Sequence, residues 1–169
     1  MKSVKLIALA AVLALAACKS NPPAQIVNHN IYPDPSQARA DLAAALHTAA
    51  ATHKRVLVDF GGNWCGDCMV LDLYFHDPQN LPILQANYVL VDVNIGQYDS
   101  NLDLAQQYGI PLHKGVPALA VLDEQGRLLY SQQGGEFEAM RRMQSSAVTS
   151  FLVQWRPDQR PCSTTVVNC

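Results

Sequence analysis

Cys65 and Cys68 stand two residues apart in Trp64-Cys65-Gly66-Asp67-Cys68, directly after the strand-like run Arg55-Val56-Leu57-Val58-Asp59-Phe60. Two thiols at that spacing, where a strand feeds a helix, can close a small disulfide and reopen it by exchange with another protein. The first N–H groups of a helix lack intrahelical partners and carry partial positive charge, which favours a sulfur at the first position as thiolate. Thiolate is the attacking species in exchange. With a helix expected to begin at Cys65, that residue is read as the nucleophile, exposed at the helical tip. Cys68, one turn along, is read as the resolving thiol that releases the partner.

Other chemistries fit the pair less well. A zinc half-site wants a second Cys or His pair at ligand spacing, whereas His29, His47, His53, His76 and His113 are scattered singly, so no metal site is expected. A static structural disulfide has no need of the flanking Trp and Gly. Copper held by the cysteines with His113 or Met69 remains an alternative, although the two-residue spacing and Asp67 favour exchange.

Four further residues flank this chemistry. Asp59 places a carboxyl inside an apolar strand, which is costly without a task or a partner. Burial raises the pKa of such a group toward neutrality and makes it a candidate acceptor for the Cys68 proton; the plainer reading is a strand-end Asp that reaches water. Trp64 is expected beside the sulfurs as docking surface, or as simple loop packing, and Gly66 permits close approach of a partner chain. Asp67 bears on direction: a carboxylate ~6 Å from the Cys65 sulfur opposes its anion by ~0.7 kcal/mol in water to ~3 kcal/mol at a dielectric of 20. The reduced form is then disfavoured, which is the sign of a reductant.

The run Val58-Asp59-Phe60-Gly61-Gly62-Asn63-Trp64-Cys65-Gly66-Asp67-Cys68 resembles the thioredoxin superfamily's acid-bearing strand followed by Trp-Cys-Gly-X-Cys. Tyr108-Gly109-Ile110 and Gly115-Val116-Pro117-Ala118 resemble the segment carrying that family's cis-proline, and the likeness extends over residues 38–155. It implies an α/β thioredoxin fold, a central mixed β-sheet flanked by helices on both faces, whose only cofactor-like group is a redox-active Cys65–Cys68 disulfide. It also implies that Asp59 is the buried acid and that Val116 and Pro117 present backbone to an extended substrate peptide. From the residues alone Pro117 is an ordinary strand-entry proline; the resemblance makes the preceding peptide cis. Two departures stand out: Asp67 replaces the usual Pro, and Pro111-Leu112-His113-Lys114 lengthens the loop before Pro117. The acid and the Gly-Gly before Trp64 are similar, more loosely, to thiol-reducing domains of periplasmic membrane proteins.

These residues need elements to position them. Residues 36–53 are Ala-rich, with Ala38, Leu42, Ala45, Leu46 and Ala49 on one face and Asp34 or Ser36 as cap, and predict a first helix. Residues 56–60 and 88–93 read as continuous apolar strands of a sheet covered on both faces. An active-site helix over 65–75, a short helix through 85 and another over 101–108 follow. Asp123-Glu124-Gln125-Gly126 marks a hairpin between strands at 116–122 and 127–131, and a long helix over 137–155 closes the domain.

Met1-Lys2-Ser3-Val4-Lys5 is basic, residues 6–17 form an apolar run too short to span a bilayer, and Leu15-Ala16-Ala17-Cys18 ends it with small residues. That pattern is expected to be a cleaved export signal over 1–17, and its end resembles the bacterial lipobox, which implies lipid on Cys18. Several acyl chains at ~0.8 kcal/mol per buried methylene make a permanent anchor, and Lys19 at the second position resembles outer-membrane sorting. Residues 18–35, rich in Pro and Asn, are read as lipidated N-terminus and linker, partly docked; residues 36–156 as the thioredoxin-like domain; and 157–169 as a tail. In that tail Cys162 and Cys169 are expected to form a structural disulfide, with free thiols or a secondary redox pair as alternatives.

The 169-residue chain has a formal charge of -2 with 15% charged residues, so no basic face points to nucleic acid. No nicotinamide or flavin motif is present, so electrons must arrive from another protein. The reading is a periplasmic, lipid-anchored thiol-disulfide oxidoreductase that reduces exported proteins and is recharged by a membrane electron donor. A disulfide oxidant or isomerase is the alternative within the same chemistry.

Overall fold

The computed structural model describes residues 30–157. Nine regular elements follow in chain order: α1 (Ala38–Thr52), β1 (Arg55–Gly61), α2 (Gly66–Phe75), α3 (Leu81–Asn87), β2 (Tyr88–Asn94), α4 (Leu102–Gln107), β3 (Ala118–Leu122), β4 (Leu128–Ser131) and α5 (Ser145–Gln154). The four strands form one mixed sheet in the order β2-β1-β3-β4, with β1 parallel to β2 and antiparallel to β3. A parallel pair needs a crossover, and α2 with α3 supplies it.

Side-chain alternation along the central strand divides the core in two. Val56, Val58 and Phe60 of β1 face α1 and α4, joined by Val91, Val93, Ala118, Ala120 and Leu122. Leu57 faces the opposite way, with Leu119 and Val121, against Leu71 and Phe75 of α2 and Val148, Phe151 and Leu152 of α5. Every residue of β1 is buried, which accounts for its unbroken apolar run. In α1, Ala38, Leu42, Ala45 and Ala49 are buried as the periodicity predicts, while Leu46 is half-buried. Asp34 accepts the Ser36 N–H at 2.9 Å, so it caps a 3-10 turn over Pro35–Gln37 that leads into α1.

Three expectations are corrected. Strand β2 lies at the sheet edge, and several of its residues are only half-buried, so it is not covered like β1. Helix α2 begins at Gly66, and Cys65 is its N-cap in extended conformation. The long closing helix is broken: a 3-10 turn at Met140–Arg142 precedes α5, which starts only at Ser145. Continuous helix would commit the Arg141 N–H to the carbonyl four residues back; instead it donates to Asp67 at 2.9 Å. Phe137 and Met140, both before Arg141 in the chain, are buried against the core.

No helix among the described residues is long and apolar enough to cross a membrane. Cys18, Cys162 and Cys169, with the leader and tail expected around them, lie outside the described residues.

Candidate active site

At the end of β1 the chain turns through Gly62, whose carbonyl accepts the Cys65 N–H at 2.9 Å, and enters α2. Cys65 and Cys68 are joined as a disulfide with their Cα atoms 5.2 Å apart. As N-cap, the Cys65 sulfur accepts the Cys68 N–H at 3.1 Å, the interaction that favours negative charge on that sulfur after reduction. The two differ in access: Cys65 is 5% exposed and Cys68 fully buried. The nucleophile is therefore a narrow window at the surface and not the open helical tip expected, while the resolving position can be reached only from within.

The Val116 carbonyl oxygen lies 3.6 Å from the Cys65 sulfur, and the Val116–Pro117 peptide is cis. Gln132, a buried polar residue, accepts the Leu119 N–H at 3.3 Å and donates to the Pro117 carbonyl at 3.2 Å, which holds the backbone on that side of the sulfurs. Trp64 is 43% exposed, donates its indole N–H to the Gly96 carbonyl, and packs on Tyr98 with ring centroids 5.4 Å apart. Tyr98 continues into a cleft of about 480 Å³ lined by Leu102, Ile110, Leu112 and His113. His113 is exposed in the lengthened loop, part of that cleft wall.

Behind Cys68 the site is acidic. Asp59 is 2% exposed; its Oδ2 accepts the Tyr32 hydroxyl at 2.7 Å and its Oδ1 has no hydrogen-bond partner. Asp59 faces Asp92 across the parallel β1–β2 register. Burial first, then the Asp92 charge, pushes the Asp59 carboxyl well above its ordinary range, with the Tyr32 hydrogen bond pulling the other way. Asp92 is itself raised by burial and by Asp72 to about 7. Asp72, on α2 one turn after Cys68, is raised by burial and moderated by His76, whose Nδ1 lies 3.2 Å from its carboxylate. The carboxyl foreseen at 59 is thus one of three.

Asp67 does not act as an unpaired charge. Arg141 binds it with its backbone N–H at 2.9 Å and with two guanidinium nitrogens at 3.1 and 2.9 Å. Burial tends to raise Asp67, but these bonds outweigh it and the carboxyl falls below its usual range. Its repulsion of a Cys65 thiolate is offset by the guanidinium, so the directional inference drawn from Asp67 alone fails. The nearest atoms to a methyl group at Gly66 would be those of that guanidinium, at 3.7 Å or more. At Gly61, by contrast, a methyl would come within 2.6 Å of the Tyr32 ring and 2.8 Å of the Cys68 sulfur.

A thioredoxin-like family model matches residues 37–124, from α1 through β3. The chain belongs to the thioredoxin-like family. Among solved structures it is similar to a disulphide isomerase from Xylella fastidiosa Temecula1, 32% identical with a TM-score of 0.70, covering 73% of this chain and 95% of that one. Thioredoxin from Pongo abelii is 28% identical over 104 residues, 62% of this chain and 85% of that protein. As a thioredoxin-like oxidoreductase the chain carries its redox-active pair at Cys65 and Cys68.

Sequence reasoning missed Tyr32, Gln132, Asp92 and Arg141. Asp92 carried a signal, since it repeats in Val89-Leu90-Val91-Asp92-Val93 the embedded acid of Val56-Leu57-Val58-Asp59-Phe60. Tyr32 was expected only as an apolar residue of a partly docked linker, with no role in the site, and Gln132 and Arg141 reach the site from segments remote in sequence and carried no signal.

Proposed function

We propose that this protein is an envelope-located, lipid-anchored thiol-disulfide exchange enzyme that works in the reducing direction on disulfides of exported proteins. The observation that carries the reading is the asymmetric pair: a capped, marginally accessible sulfur at 65 beside the Val116 carbonyl, and a buried one at 68 backed by three carboxyls. The Cys65 thiolate attacks a client disulfide and releases one client thiol. Cys68 then loses its proton and attacks Cys65, forming the Cys65–Cys68 disulfide and freeing the second client thiol. Asp59 is the proton acceptor in that second step. Val116 and Pro117 offer backbone to an extended client strand, and Trp64 offers an exposed apolar face.

Electrostatics support the reducing direction. Strong oxidants stabilise their thiolate with positive charge. Here the guanidinium nearest Gly66 is already paired with Asp67, and the charges behind Cys68 are carboxyls. The reduced form gains little, which makes the pair a donor of electrons. The relative from Xylella fastidiosa is described as a disulphide isomerase, and reshuffling wrong disulfides uses the same attack by Cys65. Residues 1–17 are the export signal, Cys18 carries lipid, residues 18–35 link anchor to domain with the stretch from Ile31 docked on it, and Cys162 pairs with Cys169 in the tail; a membrane protein supplies electrons.

Insulin reduction by the full chain, with Cys65→Ser as control, tests the exchange, and equilibration with glutathione tests the direction. The expected potential is more reducing than about -200 mV; a value near about -120 mV, typical of dedicated disulfide donors, would reverse the direction. Lipid labelling should be lost in Cys18→Ala; labelling that survives would place the lipid on another residue, and a wild-type chain that takes up no label would remove the anchor.

A further inference from the structure

Tyr32 precedes α1 and lies outside the matched residues 37–124, yet its side chain is 1% exposed inside the site. Its hydroxyl donates to Asp59 Oδ2 at 2.7 Å, and its ring shares with the Cys68 sulfur the space a methyl at Gly61 would occupy. The phenol, the sulfur and the carboxyl therefore converge beside Gly61.

Asparagine side chains hold this segment where a strand partner is lacking. Asn63 Oδ1 accepts the backbone N–H groups of Ile31 and Tyr32, both at 2.9 Å, and Asn63 Nδ2 donates to the Tyr32 carbonyl at 2.8 Å. Asn94 donates to the Pro33 carbonyl at 2.8 Å and Asn101 to the Pro35 carbonyl at 2.9 Å. Asn63 lies next to Trp64, so one residue fixes both the entry to the cysteine motif and the strap that carries the phenol. Satisfying the strap's backbone in this way stabilises a segment that forms no sheet ladder.

We propose that Tyr32 is a proton-relay residue for the resolving step, passing the Cys68 proton to Asp59. The inference rests on the exchange reaction at Cys65 and Cys68 proposed above. As the Cys68 S–H proton moves to the tyrosine oxygen, the phenol's own proton moves to the Asp59 carboxylate, so the tyrosine ends unchanged. The Cys68 thiolate attacks the Cys65 sulfur, the Cys65–Cys68 bond forms, and the bond from Cys65 to the client breaks with its electron pair on the client thiolate. Over the turnover the client disulfide gains two electrons and the enzyme dithiol loses them. Burial and the Asp59 charge keep the phenol well above its ordinary pKa, so it serves as a neutral carrier. The ionisable groups around it are Asp59 of β1, Asp92 of β2 and Asp72 of α2 with its partner His76.

The reduced full chain, mixed with an aromatic chromogenic disulfide in a stopped-flow cell, releases one thiolate when Cys65 attacks and a second when Cys68 resolves. Tyr32→Phe keeps the ring and removes the hydroxyl. It should leave the first phase within about twofold and slow the second about tenfold or more at pH 7, within the range of general acid–base effects. The pH limb of the second phase should move upward, because the lost hydrogen bond lowered Asp59. Tyr32→Phe combined with Asp59→Asn should be no slower than Asp59→Asn alone. A second phase at wild-type rate across pH, or multiplying effects in the double variant, would overturn the relay. Should Tyr32→Phe unfold, Asn63→Ala releases the strap instead and must slow the second phase selectively; equal slowing of both phases sinks the proposal. A wild-type chain that releases no chromophore removes the exchange reading itself.

Discussion

Replacing Asp92 by Asn should stabilise the protein by an amount that grows with pH. Burial and Asp72 raise this carboxyl from 3.8 to about 7 in the folded state. Between those values the folded protein holds a proton that the unfolded chain releases, so stability from this group is fully present below pH ~4 and falls as pH rises toward ~7. Each pKa unit is worth about 1.4 kcal/mol, which puts the loss above pH 7 at up to ~4 kcal/mol. Asn carries a similar shape and does not titrate. The difference between variant and wild type should therefore be near zero at pH 4, climb through the window, and level off above pH 7. Urea denaturation of the oxidised full chain at half-unit steps from pH 4 to 8.5 reads it directly. A difference that stays constant with pH would refute the placement of Asp92 in the acidic cluster. A kinetic corollary follows from the same charge: Asp92 raises Asp59, so Asp92→Asn should move the pH limb of the resolving step downward, opposite in sign to Tyr32→Phe.

Three other variants test separate parts of the site. Gly61→Ala puts a methyl against the Tyr32 ring and the Cys68 sulfur, an overpacking that should cost about 1–3 kcal/mol by urea denaturation; wild-type stability would mean the strap gives way freely. Arg141→Ala exposes the Asp67 charge to Cys65 and should raise the thiol pKa by about half to two units, read from the pH dependence of alkylation rate; an unchanged pKa would show that water already screens Asp67. Trp64→Ala removes the face packed on Tyr98 and should raise KM for insulin several-fold with little change in kcat, whereas an unchanged KM would place client docking elsewhere.

Local sequence carried much of this. A buried central strand announces itself as Val56-Leu57-Val58-Asp59-Phe60 because both faces of β1 are covered, and the embedded Asp stands out against it. The edge strand β2 has a similar pattern for a different reason: its outer residues are half-buried, and apolar content alone does not report which neighbours cover a strand. The span 137–155 looked like one helix because Phe137 and Met140 fall at helical spacing with Val148 and Phe151. What breaks it is the Arg141 N–H bonded to a carboxylate 74 residues earlier, a competitor no window of local sequence contains.

The cysteine spacing, the strand before it and the proline after Val116 were enough to place this chain in its family and to name the reacting sulfurs, since that chemistry depends on residues adjacent in sequence. The environment of those sulfurs was decided only by tertiary structure. Tyr32 reaches Asp59 across 27 residues, Arg141 neutralises Asp67 across 74, and Asp92 meets Asp59 through strand register. Charge and hydrogen bonding act through space, so the protonation of the site follows from which distant segments the fold packs against it.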